Sequence, residues 1–248
     1  MTTPMKPFLI LQLRPETEAA DDEFAAFLEF GNLSMGEVHR IRLDQEDIPQ
    51  GIDLSDYSGV IVGGGPGCVS DDPDQKSDMD AKIEQACLAL MPEITKRDFP
   101  FMGCCYGIGI LGHSLGASVS KEKWGEVAGT ANCEVVADDP LLDGISGSWQ
   151  AFVGHKEALQ ELPEGAVQLV TSPTCRYQMV RFGQNVYATQ FHPEADAQGF
   201  ENRISIYKHK GYFPPEDAER LIQMCRAADV TVPEKILRRF VDRYRTLD

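Results

Sequence analysis

The first half of the chain alternates short apolar runs with amphipathic segments. Residues 21–30 predict a helix that opens on acidic residues, where the helix dipole favours them, and residues 81–90 predict a second helix. The apolar runs between them predict strands over 8–13, 38–43, 59–62 and 99–104. Because strands and helices alternate, this half favours a parallel sheet with helices on both faces, an α/β fold.

The second half is richer in strands. Closely spaced strands separated by Gly, Pro and Asp are predicted over 132–136, 149–153, 167–170, 177–182 and 186–191, as an antiparallel extension of the same sheet. No linker rich in Ser, Gly or Pro divides the halves, so one domain is predicted over 1–248, with a helical extension from about residue 200. Thr231 and Glu234 resemble a capping box that opens the last helix.

Charge and composition narrow the function classes. The 248 residues carry a formal net charge of −16, which repels nucleic-acid phosphates and anionic membrane surfaces, and no strong basic patch offsets it. No apolar run is long enough to span a membrane and no signal peptide is evident, so a cytoplasmic protein is expected. The seven cysteines lack CxxC spacing, which argues against a disulfide framework and against a zinc site.

The segment 99–107, FPFMGCCYG, runs from a predicted strand into a tight Gly-x-Cys-x-Gly turn, and a helical pattern follows. Glycines flank such a turn because the backbone approaches itself too closely for side chains. Cys105 lies at its centre, at a helix N-terminus where the dipole favours a thiolate, and the amide of Tyr106 can point at an attacked carbonyl oxygen. The pattern favours a nucleophile over a small buried cysteine.

A base and its orienting group are offered by QFHPE at 190–194. His192 and Glu194 are two residues apart just after a predicted strand, so their side chains can lean the same way, and Pro193 stiffens the link between them. A triad of Cys105, His192 and Glu194 is therefore available. Taken alone, a histidine in such a turn is more often a surface or capping residue.

The glycine-rich loop at 63–67, GGGPG, directly follows a predicted strand. Its exposed amide N–H groups can supply a second oxyanion donor. The loop lacks the GxGxxG spacing and the lysine of phosphate-binding loops. An ordinary turn at the end of a strand is the competing interpretation.

Together these three segments resemble the class I (triad) glutamine amidotransferases, particularly stand-alone members similar to the amidotransferase domain of GMP synthase. The resemblance implies a doubly wound, mostly parallel, flavodoxin-like sheet with a strand-rich antiparallel flank. It also implies a role for each matched residue: Cys105 as nucleophile, His192 as base and then acid, Glu194 as orienting carboxylate, and Gly64, Gly65 and Tyr106 as oxyanion or substrate-binding positions.

The activity implied by the resemblance is hydrolysis of glutamine through a γ-glutamyl thioester, with no metal or organic cofactor. Released ammonia would serve a separate synthase subunit, since no ATP-binding synthase domain fits in this chain. Gly109 stands where the family usually carries a glutamine that helps to hold the substrate. A γ-glutamyl peptidase or hydrolase with the same triad, and a catalytically silent binding or regulatory module, therefore stay open as alternatives.

Two other residues compete for catalytic roles. The sequence GHSLG at 112–116 matches a serine-hydrolase turn centred on Ser114, but that turn requires a strand directly before it, and residues 106–111 belong to the predicted helix. His155 follows a predicted strand and could line the pocket, although a hydrogen-bonded loop histidine is the more common role.

Overall fold

A nine-stranded sheet forms the centre of the computed structural model, which describes residues 6–245. Its strands lie in the order β2-β1-β3-β4-β11-β10-β9-β6-β7, and β5 pairs with β8 in a separate two-stranded sheet. The strand bounds are β1 Phe8–Gln12, β2 Val38–Arg42, β3 Gly59–Val62, β4 Phe101–Cys104, β5 Val119–Ser120, β6 Glu126–Val135, β7 Ser148–His155, β8 Ala158–Leu159, β9 Ala166–Thr171, β10 Met179–Phe182 and β11 Val186–Thr189.

The sheet changes character at β11. Strands β2, β1, β3, β4 and β11 pair in parallel, whereas β11, β10, β9, β6 and β7 pair antiparallel. The predicted parallel sheet with an antiparallel extension is thereby confirmed. The carboxyl ends of β4 and β11 lie side by side, with Cys104 in register with Thr189. Loops that follow these two strands therefore emerge at the same edge of the sheet.

Helices cover the sheet on both faces of its central strands. The bounds of the helices are α1 Thr17–Gly31, α2 Asp78–Arg97, α3 Tyr106–Ser114, α4 Ala197–Tyr207, α5 Ala218–Ala227 and α6 Thr231–Tyr244. Along β1, Phe8 and Ile10 join one core cluster with α1 and α6, while Leu9 and Leu11 join another with α2 and α3. Because both faces are covered, every residue of β1 is buried.

The last third of the chain packs onto this sheet. Helices α4 and α5 form a third cluster with Ala128 of β6 and Phe152 of β7, whereas α6 joins the same core as β1. The helical extension predicted from about residue 200 is thus present as three helices, the first of which begins at Ala197. No helix within residues 6–245 is long and apolar enough to cross a membrane.

Two local predictions need correction. The capping box is wrong: Thr231 is already the first residue of α6, Val230 precedes it as the cap, and the Thr231 hydroxyl donates to Asp229 at 3.3 Å instead. The second predicted helix runs on past Pro92 to Arg97, since the burial of Met91 and Ile94 compensates for the hydrogen bond that proline cannot donate.

Candidate active site

The backbone turns sharply between β4 and α3, and Cys105 lies at the turn. Its φ of 53° and ψ of −93° are strained for a residue with a side chain. A Cβ added at Gly103 would lie 2.8 Å from the carbonyl carbon of Gly107, so the turn needs a glycine there. The Cys105 amide donates to the carbonyl of Thr189 at 2.7 Å, which ties the turn to the end of β11.

The histidine and carboxylate of the predicted triad follow β11, the neighbour of β4. The His192 amide donates to the carbonyl of Phe152 at 3.0 Å, and the ring Nδ1 lies 2.9 Å from Glu194 Oε1. Arg203 of α4 donates to the same carboxylate oxygen at 2.9 Å. All three of these side chains are buried, so Glu194 is held between an imidazole and a guanidinium.

Cys105 and His192 line one cavity of about 40 Å³, which is also lined by Gly154 and the aromatic side chains of α4 and the loop after it. The Cys105 sulfur faces the carbonyl of Gly154 at 3.9 Å. The imidazole lies against the glycine-rich loop, because a Cβ at Gly64 would be 2.9 Å from His192 Cε1. The fold thus brings together segments that are 87 residues apart in sequence (192 − 105).

Burial determines the protonation states of Cys105 and His192. It raises the pKa of the Cys105 thiol to about 12, and the charge of Arg14 offsets only part of that effect. Burial also lowers the pKa of His192 below its ordinary 6.5, although Glu194 acts in the opposite direction. The thiolate expected from the helix dipole is therefore not the resting form: both the Cys105 thiol and the His192 imidazole are neutral at rest.

Glu194 remains ionised in spite of its burial. Desolvation would raise its pKa, but the charges of His192 and Arg203, together with the hydrogen bond from His192, hold the pKa well below its usual range. A carboxylate can only accept, so the neutral imidazole carries its proton on Nδ1. Its Nε2 is then free to accept a proton from a nucleophile.

The glycine-rich loop covers a buried ion pair. Arg14 Nε donates to Glu23 Oε1 at 2.9 Å, and Arg14 Nη1 donates to the Tyr207 hydroxyl at 3.1 Å. A Cβ at Gly63 would lie 2.5 Å from the Glu23 carboxylate, and one at Gly64 would lie 2.6 Å from Arg14. The amide of Gly64 donates to Glu23 at 3.1 Å, so this N–H holds the loop in place. The loop therefore needs glycines because of what lies beneath it.

A second cavity, of about 20 Å³, also borders Cys105. Gly65 and Tyr106, the predicted oxyanion positions, both line it. Gly109 and Glu157 also contribute to its wall, and a Cβ at Gly109 would lie 2.9 Å from Glu157 Oε1. The space that a side chain at position 109 would need is thus occupied by a carboxylate from another segment.

Ser114 lies away from these cavities. It is an exposed residue at the end of α3, and its hydroxyl donates to the carbonyl of Leu111 at 2.8 Å. No strand precedes it directly, because residues 106–113 are helical. This geometry does not fit a serine nucleophile.

His155 lines the cavity that Cys105 and Tyr106 also line, and it belongs to a buried group with Glu126 and Cys175, whose ligand atoms lie within 4.8 Å of one another. Its Nδ1 lies 2.8 Å from the carbonyl of Glu157, and its Nε2 lies 2.8 Å from Glu126 Oε2. Both nitrogens are engaged, so neither is free to exchange a proton with Cys105. A cysteine, a histidine and a carboxylate are ligand types that transition metals use, but here hydrogen bonds already satisfy the ring and the carboxylate.

Several residues of the site escaped the sequence analysis. Arg14, Glu23, Glu157 and Arg203 carry no motif and come from four separate segments. Glu23 could have been noticed in the sequence, because it is a charged residue on the apolar face of α1. The structure shows that it is fully buried. A buried charge requires a partner, which Arg14 supplies.

Comparison with known proteins places the chain among amidotransferases. A family profile described as glutamine amidotransferase class-I matches residues 31–206, a range that includes Cys105, His192 and Glu194. Among curated proteins, a GMP synthase [glutamine-hydrolyzing] of Prochlorococcus marinus is 35% identical over 140 residues, which are 55% of this chain and 24% of that protein. One from Bacillus velezensis is 29% identical over 177 residues, or 71% of this chain and 31% of that protein. The chain therefore matches under a third of the length of these relatives.

Solved structures share the fold over nearly the whole chain. A glutamine amidotransferase from Thermotoga maritima superposes with a TM-score of 0.77 at 22% identity, covering 96% of this chain and 98% of that one. A glutamine amidotransferase from Methylobacillus flagellatus gives a TM-score of 0.72 at 20% identity, covering 97% of this chain and 94% of that one. At these identities the likeness concerns the fold.

Proposed function

Since the chain belongs to the class I glutamine amidotransferase family, we propose that it is a thiol amidohydrolase that releases ammonia from glutamine. The observation that carries this proposal is the shared cavity of Cys105 and His192, with the imidazole hydrogen-bonded to Glu194 at 2.9 Å. These are the parts that nucleophilic catalysis of acyl transfer requires: a nucleophile, a base and a group that orients the base.

The reaction begins with a proton transfer. His192 Nε2 takes the thiol proton as Cys105 Sγ forms a bond to the carboxamide carbon, and the amides of Gly65 and Tyr106 stabilise the resulting oxyanion. The tetrahedral intermediate then collapses as the C–N bond breaks, and His192 gives its proton to the departing ammonia. A γ-glutamyl thioester remains on Cys105.

Hydrolysis of the thioester completes the cycle. His192 takes a proton from a water molecule, whose oxygen bonds to the thioester carbon. The C–S bond breaks to release glutamate, and His192 returns the proton to the sulfur, which restores the thiol. None of these steps calls for a metal or an organic cofactor. We further propose that the ammonia serves a synthase partner, since relatives that match this chain are named glutamine-hydrolysing GMP synthases.

A γ-glutamyl peptidase activity is the second candidate. The cavity beside Cys105 is walled by Phe200, Tyr207, Tyr212 and Phe213, aromatic side chains that suit contact with a leaving group larger than ammonia. The same triad chemistry would then release an amine or a peptide instead of ammonia.

The deciding experiment measures glutamate release from glutamine and from γ-glutamylalanine. We expect Cys105→Ser and Cys105→Ala to abolish release, and the matched Ser114→Ala variant to retain wild-type rates, because Ser114 lies outside both cavities. Cleavage of the dipeptide with glutamine inert would move the assignment to the peptidase. A folded wild-type protein that cleaves neither substrate would leave the silent binding module as the interpretation.

A further inference from the structure

The side chain of Tyr106 lies against the glycine-rich loop. A Cβ at Gly65 would lie 3.3 Å from Tyr106 Cδ1, and one at Gly67 would lie 3.0 Å from the Tyr106 hydroxyl oxygen. The tyrosine is only 6% exposed and lines the cavity of about 20 Å³ beside Cys105. Its ring therefore connects the turn at Cys105 with the loop that carries Gly65.

The hydroxyl of Tyr106 is anchored on α2. It donates to Glu84 Oε2 at 2.9 Å. Burial and the charge of Glu84 raise the pKa of Tyr106 well above its usual range, so the hydroxyl stays protonated and remains a donor. Because the Glu84 side chain is only 13% exposed, water has little access to this bond, which strengthens it.

Lys76 joins the same carboxylate to the loop. Its ammonium donates to the two oxygens of Glu84 at 2.7 and 2.8 Å and to the carbonyl of Val69 at 3.2 Å. These three bonds use all three donors of the ammonium. Val69 lies in the segment 63–77 between β3 and α2, which begins with the glycine-rich loop. Glu84 is thus the point at which the tyrosine ring and the loop are both attached to α2.

The two proposed oxyanion donors come from different elements. The amide of Gly65 belongs to the loop after β3, whereas the amide of Tyr106 belongs to the first residue of α3. Two amides can stabilise one oxygen only when both are held to within about 0.5 Å of the productive geometry. A displacement of about 1 Å can cost on the order of 100-fold in rate. The separation of these two elements therefore needs to be fixed by side chains.

We propose that the Tyr106 side chain, held by Glu84 and Lys76, sets the distance between the amides of Gly65 and Tyr106. Glu84 and Lys76 are then positioning residues, because they act through the tyrosine and the loop and not on the substrate. This inference rests on the proposed function and deepens it, since it assigns a role in the rate of hydrolysis to two charged residues outside the triad.

The first test is Tyr106→Phe, which removes the hydroxyl and keeps the ring and the amide. We expect kcat for glutamine to fall about 10-fold, with KM changed less than about twofold, because oxyanion donors act on the transition state more than on the bound substrate. The matched control is Tyr57→Phe. Its hydroxyl lies 2.6 Å from His39 Nδ1, outside both cavities, and its loss should leave kcat unchanged.

A second measurement separates positioning from general damage to the turn. Iodoacetamide alkylates a cysteine as the sulfur bonds to its CH2 carbon and iodide leaves, so no oxyanion forms. We expect Cys105 in Tyr106→Phe to be alkylated at the wild-type rate, followed by mass spectrometry that locates the label on this residue. A parallel fall in alkylation and in kcat would show that the turn itself is disturbed and would overturn the inference.

The third test varies the anchor on α2. Glu84→Gln keeps an acceptor for the Tyr106 hydroxyl and should retain most of kcat, whereas Glu84→Met removes it and should resemble Tyr106→Phe. The double variant Tyr106→Phe/Glu84→Met should lose no more than Glu84→Met alone, because both changes break the same bond. Losses that multiply would mean that the two residues act independently, against the inference. Should Glu84→Met not fold because Lys76 loses its partner, the comparison of Tyr106→Phe with Glu84→Gln still decides.

The wild-type protein distinguishes a failure of this inference from a failure of the proposed function. If it hydrolyses glutamine and Tyr106→Phe does so with the same kcat, the positioning role is wrong and the amidase stands. If it cleaves neither glutamine nor γ-glutamylalanine, the proposed function fails and the positioning role fails with it.

Discussion

In the proposed mechanism one proton passes between the Cys105 thiol and the His192 imidazole. Burial determines which of the two groups carries it in the free protein. With the pKa of the thiol raised to about 12 and that of the imidazole lowered, the proton lies on sulfur in the free protein. In the proposed mechanism, the nucleophile therefore forms only as the substrate is attacked, by transfer of the proton to Nε2. A thiol of this kind is less exposed to oxidation at rest than a standing thiolate would be.

The pH profile of glutaminase activity tests this protonation. The active form has neutral His192, which is lost as pH falls through its lowered pKa, so the acid limb of kcat/KM should have its midpoint below 6.5. Because the Glu194 charge raises the pKa of His192, Glu194→Gln should move the midpoint lower still and reduce the plateau. A wild-type midpoint above 6.5 would contradict neutral His192 as the resting form.

At the scale of elements, α6 closes the core on the face of the sheet opposite α2 and α3. Its Phe240 is fully buried, and its ring centre lies 6.3 Å from that of Phe8 and 6.2 Å from that of Tyr187. The last turns of the chain therefore contact both the first strand and β11, the strand that precedes His192. The position of the catalytic loop depends in part on this packing.

Phe240→Ala is expected to lower the free energy of unfolding by about 3–5 kcal/mol, the usual loss when a buried aromatic ring is truncated. Urea unfolding followed by circular dichroism measures the change. The control is Arg243→Ala on the exposed face of the same helix, for which a change within about 0.5 kcal/mol is expected. Equal effects from the two variants would mean that α6 is not part of the cooperative core.

The elements with a clear pattern of apolar residues could be predicted from the sequence, but the ends of some of them could not. The apolar run at 59–62 gives the bounds of β3, Gly59–Val62, as the structure has them. Helix α1 instead begins at Thr17 and stops where Asn32 adopts a left-handed conformation, with φ of 51°. Its start has no side-chain capping hydrogen bond to mark it, whereas Asn32 is a residue type that commonly ends helices in this conformation.

The site divides in the same way. Cys105, His192 and Glu194 lie in short local motifs that a sequence displays, so their proximity could be predicted. Arg203 and Glu157 are ordinary charged residues in sequence, and only the packing of α4 and of the loop after β7 brings them to the site. Local motifs thus predict the candidate triad, whereas the charged side chains around it come together only through the tertiary structure.

At the scale of the whole molecule, one of the core clusters joins distant parts of the chain. The cluster that contains Phe8 also contains Val153 of β7 and Phe240 of α6, so the beginning, middle and end of the chain share one interior. The prediction of a single domain follows from the sequence and is compatible with this packing. A net charge of −16 also gives the molecule a repulsive field that discourages self-association.

Calorimetry can test the single domain directly. We expect one thermal transition, with equal calorimetric and van't Hoff enthalpies and a heat-capacity change of about 3–4 kcal/mol/K, from about 12–15 cal/mol/K per residue. Leu221→Ala in α5, where the leucine is buried, should lower this single midpoint as a whole. Two transitions, of which the variant shifts only one, would show that the C-terminal helices unfold on their own.

The strained backbone at Cys105 creates a trade-off between the proposed activity and the stability of the fold. Holding that residue at φ 53° costs on the order of 1–3 kcal/mol. A sequence in which the bend could relax would therefore be more thermally stable, but it would lose the proposed activity. In a homologue that no longer needed to release ammonia, we expect the residues of this turn to be replaced early. Random substitution and selection for thermal stability would then favour the same replacements.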